Sequence, residues 1–318
     1  MDTALSSAAQ ADTEYPTDTS LESISIVGTP VACATYDSAL ERIKAFARES
    51  QATAVCPCNT HILAEARHNP EFARVLARFD LVLPDGMPVV WALNFRGAGL
   101  KDPVAGPYFM RHVLRSTPRP WRHFFFGDSE ECLVELRRVL VQLQPDIEIA
   151  GMLSPPFRPF TEADEASFAD AINRADPDFV WVALPGVRME RWIIDNQARY
   201  RGGVFLAVGD AFMLLSGRRR FAPMWMQRMG LTWAYRLSKE PLRLGPRYLR
   251  YNSMFVSYWL WDALRAWAWQ KVERRVTAFV DRGAEGGDRD RERDGGGVGQ
   301  RGGPAARADA ATTVRLAS

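Results

Sequence analysis

Cysteine is scarce in this chain, and so are the signatures that assign a sequence to a cofactor or a membrane. The 318 residues include four cysteines, Cys33, Cys56, Cys58 and Cys132. Cys56-Pro57-Cys58 lacks zinc-ribbon spacing and a second cysteine pair. The four read as small buried thiols of a reducing compartment, with a redox or metal pair as the alternative. The four histidines, His61, His68, His112 and His123, form no ligand spacing and read as structural or exposed. G-x-G-x-x-G and G-x-x-x-x-G-K-[ST] are both missing, which removes the dinucleotide and P-loop readings. No window holds 18 uninterrupted apolar residues, so no transmembrane helix is expected. Residues 1–24 have no basic start and no apolar core, so no secretory signal is expected. A cytoplasmic protein follows. Paired carboxylates at a strand's carboxyl end are also missing. Asp176-Pro177-Asp178 precedes its strand, and Asp288-Arg289-Asp290 lies in a low-complexity tail. No bound divalent metal and no cofactor are expected.

What is present alternates. Thr53–Cys58, Leu81–Pro84, Trp121–Phe126, Ile147–Met152, Phe179–Leu184 and Val204–Val208 read as strands. Helical patterns separate them, over residues 37–49, 60–68, 72–79, 106–114, 130–143, 161–174 and 188–201. Asp37 reads as the cap of the first helix. Ser23–Val27 and Val31–Ala34 read as an additional strand pair. Runs such as Phe179-Val180-Trp181-Val182-Ala183-Leu184 are apolar on both faces, as a covered parallel sheet requires. The fold class is therefore α/β, a Rossmann-like doubly wound, mostly parallel sheet.

The strand ends carry the candidate chemistry. Leu83-Pro84-Asp85-Gly86-Met87 places Asp85 at the carboxyl end of a strand, where open α/β sheets bind ligands. A carboxylate there can take a proton from a substrate hydroxyl. The alternative is that Asp85 caps the following helix. Asn59-Thr60, Gly127-Asp128-Ser129, Leu184-Pro185-Gly186 and Gly209-Asp210 occupy similar turns, and helices starting there suit a phosphorylated or nucleotide ligand.

Composition divides the chain into a leader (1–22) expected to be disordered, an α/β core (23–216), a basic helical appendage (217–282) and a disordered low-complexity tail (283–318). From Gly217 to Val276 there are 13 Lys and Arg against 3 Asp and Glu, a net of +10. The same stretch holds Trp225, Trp233, Trp259, Trp261, Trp267 and Trp269. Three readings stay open: a nucleic-acid face, an anion clamp with a membrane-surface anchor, or tryptophans packed on the domain. Tryptophan suits the headgroup boundary and arginine suits anionic lipid, which favours the second.

Several motifs occur in a set order: Asn59-Thr60-His61-Ile62-Leu63, Leu83-Pro84-Asp85-Gly86-Met87-Pro88, Val104-Ala105-Gly106-Pro107, Ser154-Pro155-Pro156-Phe157-Arg158 and Gly209-Asp210-Ala211-Phe212. Ala222-Pro223-Met224-Trp225, Gly230-Leu231-Thr232-Trp233 and Tyr235-Arg236-Leu237-Ser238-Lys239-Glu240-Pro241-Leu242-Arg243-Leu244 follow, with Arg247-Tyr248-Leu249 behind. From about Ile24 to Phe255 the chain resembles the WecG/TagA/CpsF glycosyltransferases. The resemblance implies transfer of a sugar, N-acetylmannosamine or a related hexose, from a UDP-sugar to a polyprenyl-diphosphate-linked acceptor. It implies an inverting, metal-independent enzyme of cell-surface polysaccharide synthesis, peripheral on the inner face of the plasma membrane and bound to its anionic surface. On the matching motifs Asp85 is the implied base. Asn59 is implied near donor and acceptor, and Arg236, Arg243 and Arg247 close over the diphosphate. Thr60, Gly86, Gly127 and Gly209 complete the expected substrate-binding set.

The chain departs from the family pattern at Pro57, Pro103, Tyr108, Met189, Met213, Phe221 and Thr232, most of them positions that are polar in the family. Two functional readings follow. One is an active glycosyltransferase with a repacked pocket. The other is a non-catalytic relative that binds nucleotide sugar or a partner glycosyltransferase at the membrane. Nucleic acid is not an expected partner.

Overall fold

The computed structural model describes residues 20–293, with the backbone alone for Met224, Arg228, Trp267 and residues 269–293. The expected leader (residues 1–22) lies outside the described residues up to residue 19, and the expected tail lies outside them from residue 294.

Six strands form one parallel sheet: β3 (Thr53–Cys58), β4 (Leu81–Pro84), β5 (Arg122–Gly127), β6 (Glu148–Leu153), β7 (Phe179–Ala183) and β8 (Val204–Ala207). Their order is β4-β3-β8-β7-β5-β6. β1 (Ser23–Ile26) and β2 (Thr29–Ala32) make a separate antiparallel pair. Cys33, expected in a strand, falls just past β2.

Side-chain alternation explains why the strands read as continuous apolar runs. Ala54, Cys56, Val180, Val182 and Phe205 belong to the core on one face of the sheet. Val55, Phe179, Trp181, Val204 and Leu206 belong to the core on the other. The first core is closed by α2 (Thr60–His68), α3 (Pro70–Leu76), α7 (Glu162–Ala175) and α8 (Arg188–Asn196). The second is closed by α1 (Tyr36–Phe46), α5 (Gly106–Ser116), α6 (Glu130–Leu143) and α9 (Ala211–Leu215). With both faces covered, most strand positions are apolar and period-2 polarity disappears. The sheet is thus doubly wound and Rossmann-like.

Local capping corrects several expected boundaries. Thr35, not Asp37, caps α1: its hydroxyl accepts from Ser38 N, and Ser38 returns the bond to Thr35 N. Asp37 lies inside the first turn, where a carboxylate favours the helix dipole. Asn69 does more than break a helix. It ends α2 and caps α3, accepting from Glu71 N and Phe72 N. α8 stops at Asn196, and a 3-10 turn follows over Gln197–Arg199.

After α9 come α10 (Met224–Arg228), α11 (Thr232–Lys239) and α12 (Pro241–Arg293). The chain divides into two units, Met1–Asp262 and Ala263–Ser318, so no unit boundary falls at Gly217. Residues 217–262 belong with the sheet because they bury and bond against it. Leu244 and Phe255 are buried, Thr60 Oγ1 donates to Asn252 Oδ1 at 2.7 Å, and Tyr251 Oη donates to Glu65 Oε2 at 3.0 Å. Within the second unit the backbone stays helical past Gly283 to Arg293, into the stretch that composition assigns to the tail. Opposite charges there recur three residues apart in the sequence, a spacing that supports a helix.

Candidate active site

A cleft of about 1370 Å³ runs along the carboxyl edge of the sheet. All six strands feed it: Pro57 and Asn59 at β3, Asp85 at β4, Asp128 at β5, Pro155 at β6, Ala183 to Gly186 at β7, and Ala207 to Asp210 at β8. The appendage supplies the opposite wall through Thr232, Arg236, Arg243, Arg247 and Tyr248. Gly230 seats that wall. Its φ is +70°, and a β-carbon there would lie 2.4 Å from Met87 Cγ, so α11 starts pressed against the turn that carries Asp85.

Asp85 follows β4 directly, and its N–H donates to Cys58 O at 3.0 Å. Gly86, at φ +95°, turns the chain into α4 (Met87–Phe95), which begins with no side-chain cap. The helix-cap alternative therefore does not apply: the Asp85 carboxyl is left for the cleft. Asn59 orients it. Asn59 Oδ1 accepts from His61 N at 3.0 Å and Ile62 N at 3.3 Å, capping α2. Its amide is thereby directed to the Asp85 carboxyl, to which it is hydrogen-bonded.

Burial pushes the Asp85 carboxyl up to about 7. The positive charge of Arg236 pulls against burial, the Asp210 carboxylate reinforces it, and the Asn59 hydrogen bond opposes it. A carboxyl poised near neutrality, partly open to the cleft, suits a general base.

Asp210 holds the guanidinium groups. It is ion-paired with Arg236 and accepts from Arg219 Nη1 at 3.3 Å. Arg219 Nη2 lies 3.1 Å from Glu240, which also pairs with Arg243. Asp210 is thus a site residue that the sequence places in a strand-end turn and in the Gly209-Asp210-Ala211-Phe212 motif without assigning it a role. The available signal was its parallel with Asp85, an acid at the end of an apolar strand. Arg219 carried no such signal, because three adjacent arginines precede Phe221 and spacing does not choose among them.

The structure brings most of the expected site residues to one cleft. Asp85, Asn59, Thr60, Gly86, Gly209, Arg236, Arg243 and Arg247 all line it. Their situations differ. Thr60 is bonded to Asn252. Arg243 sits at the rim beside Glu240, while Arg247 Nε is buried and lacks a hydrogen-bond partner among the described residues. Burial, with the Arg247 charge adding to it, pushes His61 down to about 4, so it is neutral at pH 7. Gly127 does not line the cleft. Its φ is +129°, and a β-carbon would lie 2.2 Å from Ala183 O, so it serves close strand packing.

The seven departure positions, Pro57, Pro103, Tyr108, Met189, Met213, Phe221 and Thr232, all line the cleft. Three of them pack together. The Tyr108 and Phe221 rings are 5.2 Å apart, and the Tyr108 hydroxyl is hydrogen-bonded to Thr232. Among the described residues no cluster of three or more His, Cys, Asp or Glu is arranged to hold a metal ion.

A family profile described as "Glycosyl transferase WecG/TagA/CpsF family" matches residues 24–268. The chain is also similar to N-acetylglucosaminyldiphosphoundecaprenol N-acetyl-beta-D-mannosaminyltransferases. To that of Bacillus spizizenii it is 30% identical over 190 residues, 59% of this chain and 72% of the relative. To that of Bacillus subtilis it is 28% identical over 186 residues, 58% and 71% respectively. To that of Staphylococcus aureus it is 21% identical over 225 residues, 70% and 87% respectively.

Proposed function

The chain belongs to the WecG/TagA/CpsF glycosyl transferase family, and on that premise we propose that it moves a sugar from a UDP-sugar to a polyprenyl-diphosphate-linked acceptor. The donor sugar is N-acetylmannosamine or a related hexose, and the product serves cell-surface polysaccharide synthesis. The names of the relatives support the acceptor class. The observation that carries the reading is the convergence of Asp85, Asn59, Arg236 and Arg247 on one cleft at the carboxyl edge of the sheet, where burial raises the Asp85 carboxyl to about 7.

In this reading Asp85 takes the proton of the acceptor hydroxyl as that oxygen attacks the anomeric carbon. The bond from that carbon to the UDP oxygen breaks, and configuration inverts in a single displacement. Charge develops on the leaving diphosphate. Arg236 and Arg247 neutralise it, with Arg243 at the rim, because planar guanidinium forks match phosphate oxygens. No catalytic metal is assigned a step.

The acceptor is membrane-linked, and the protein works as a peripheral enzyme on the inner face of the plasma membrane. No described helix is long and apolar enough to cross a membrane. Trp225, Trp233, Leu242, Leu249, Leu260 and Trp261 are exposed in the basic 217–262 stretch, a combination suited to an anionic lipid surface.

The test is a transfer screen of UDP-sugars against polyprenyl-diphosphate-linked sugar acceptors, with Asp85→Asn as control. Donor-dependent product with the wild-type chain, formed at least about a hundredfold more slowly by the variant, is the expected result. UDP-sugar binding without product across the panel favours the non-catalytic alternative.

A further inference from the structure

Glu190 is an acidic side chain of the cleft that the mechanism above does not use. It lies in the first turn of α8 and lines the cleft at 2% exposure. Its Oε2 is buried with no hydrogen-bond partner among the described residues. The other buried or half-buried acids of the cleft differ. Asp85 has Asn59 and Arg236, Asp210 has Arg219 and Arg236, and Asp128 Oδ1 accepts from Ser129 N at 2.8 Å.

The position of Glu190 relates it to the reacting centre. The thiols of Cys56 and Cys58 on β3 both feel the charge of Glu190 and that of Asp85. Glu190 and Asp85 both line the same cleft, beside Asn59 in its lining. The cleft that Glu190 lines also has apolar side chains, among them Pro57, Leu184, Met189 and Ala207. Burial holds the Glu190 carboxyl up at about 7, and its own backbone N–H is the opposing stabilisation. A buried polar atom without a partner is costly and uncommon in folded proteins, so it calls for a partner that binding supplies.

We propose that Glu190 is a substrate-binding residue, accepting a hydrogen bond from a hydroxyl or an acetamido N–H of the sugar carried by the UDP donor. This rests on the glycosyltransferase reading and deepens it: Asp85 acts on the acceptor hydroxyl, and Glu190 recognises the transferred sugar. The apolar side chains of the cleft accept the sugar's less polar face and leave this carboxyl to read its polar groups. A UDP moiety without the sugar makes no use of Glu190.

The experiment measures affinities of the full chain for UDP, UDP-N-acetylmannosamine and UDP-mannose, in wild type, Glu190→Ala and Glu190→Gln. The expected result is unchanged UDP affinity in both variants. UDP-sugar affinity should fall about tenfold to a hundredfold in Glu190→Ala and less in Glu190→Gln, which keeps an acceptor oxygen. A loss for both UDP-sugars identifies a hydroxyl as the donor group, and a loss confined to the acetamido sugar identifies the N–H. Both support the proposal. Unchanged UDP-sugar affinity in Glu190→Ala overturns it, as does an equal loss for UDP and UDP-sugar. Asp85→Asn keeps the two ideas separable: it should reduce transfer at least about a hundredfold while retaining UDP-sugar affinity. Transfer undiminished in Asp85→Asn overturns the base and leaves Glu190 standing. A wild-type chain that binds no UDP-sugar removes both.

Discussion

Asn59 and Asp85 are joined across the ends of two neighbouring strands by one side-chain amide with two duties. The amide oxygen caps α2 through His61 N and Ile62 N, so the amide nitrogen is left for the Asp85 carboxyl. Asn59→Asp should separate these duties. It keeps the cap but places a second carboxyl beside Asp85, so the acid limb of the pH–rate profile should move to higher pH at nearly unchanged Tm. Asn59→Ala loses the cap as well and should cost about 1 kcal/mol of stability. A profile unmoved in Asn59→Asp rules out the contact.

Asp85 predicts opposite trends for activity and stability. As a base it must be ionised, so kcat/KM should rise with pH through about 7 and level above it. Asp85→Asn should reduce transfer by about 10²–10⁴-fold. Its folded pKa is raised above the ordinary carboxylate value, so the folded state binds the extra proton. That contribution to stability is full below about pH 4 and is lost as pH rises through about 7. Asp85→Asn should therefore unfold at higher denaturant concentration than wild type at pH 8, by on the order of 1–3 kcal/mol, and show little gain at pH 4.

Arg236 and Asp210 act on Asp85 with opposite signs. Arg236→Gln removes a cation that favours the carboxylate, so any residual activity should titrate at higher pH, with weaker UDP binding. Asp210→Asn removes a neighbouring negative charge and should move the acid limb downward. Parallel shifts in both variants count against this electrostatic arrangement.

His123 sets an acid limit on the fold. It is buried, with Trp181 Nε1 donating to its Nδ1 at 3.2 Å and Thr117 Oγ1 3.2 Å from its Nε2. Burial pushes it down to about 4. The unfolded chain takes up the proton first, so this stability is full above about pH 6.5 and is lost as pH falls toward 4. Urea unfolding at pH 7.5 and pH 5 should show a larger acid loss in wild type than in His123→Gln, and equal losses remove His123 as the cause.

The exposed pair Leu260 and Trp261 tests the proposed membrane surface. Replacing both by Ser should weaken binding to vesicles containing anionic lipid at least tenfold, while UDP binding in solution stays unchanged. Vesicle binding equal to wild type removes these side chains from the contact.

The strand–helix alternation, the parallel sheet and the candidate base were legible in the chain itself. Apolar runs of strand length, such as the one ending at Ala183, demand cover on both faces, and a Pro-Asp-Gly turn after one of them sets an acid at the ligand-binding edge. These are local properties, governed by backbone geometry and by which side chains avoid water. Electrostatic partnership is not local. Asp210 and Arg236 are 26 residues apart in sequence and become a pair only when α11 is seated against Met87 by Gly230. Glu190 ends the stretch Val187-Arg188-Met189-Glu190, which stands where the family pattern has Pro-Lys-Gln-Glu, but its burial is not legible there, and Gly127 looks like a ligand-binding turn. Only packing shows that the first is a buried carboxyl with an unpartnered oxygen in the cleft and that the second is pressed on the Ala183 carbonyl. Sequence thus determined which elements form and where their polar ends lie. Tertiary structure decided which charges meet, because burial and distance, on which pKa and pairing depend, exist only once distant segments have packed together.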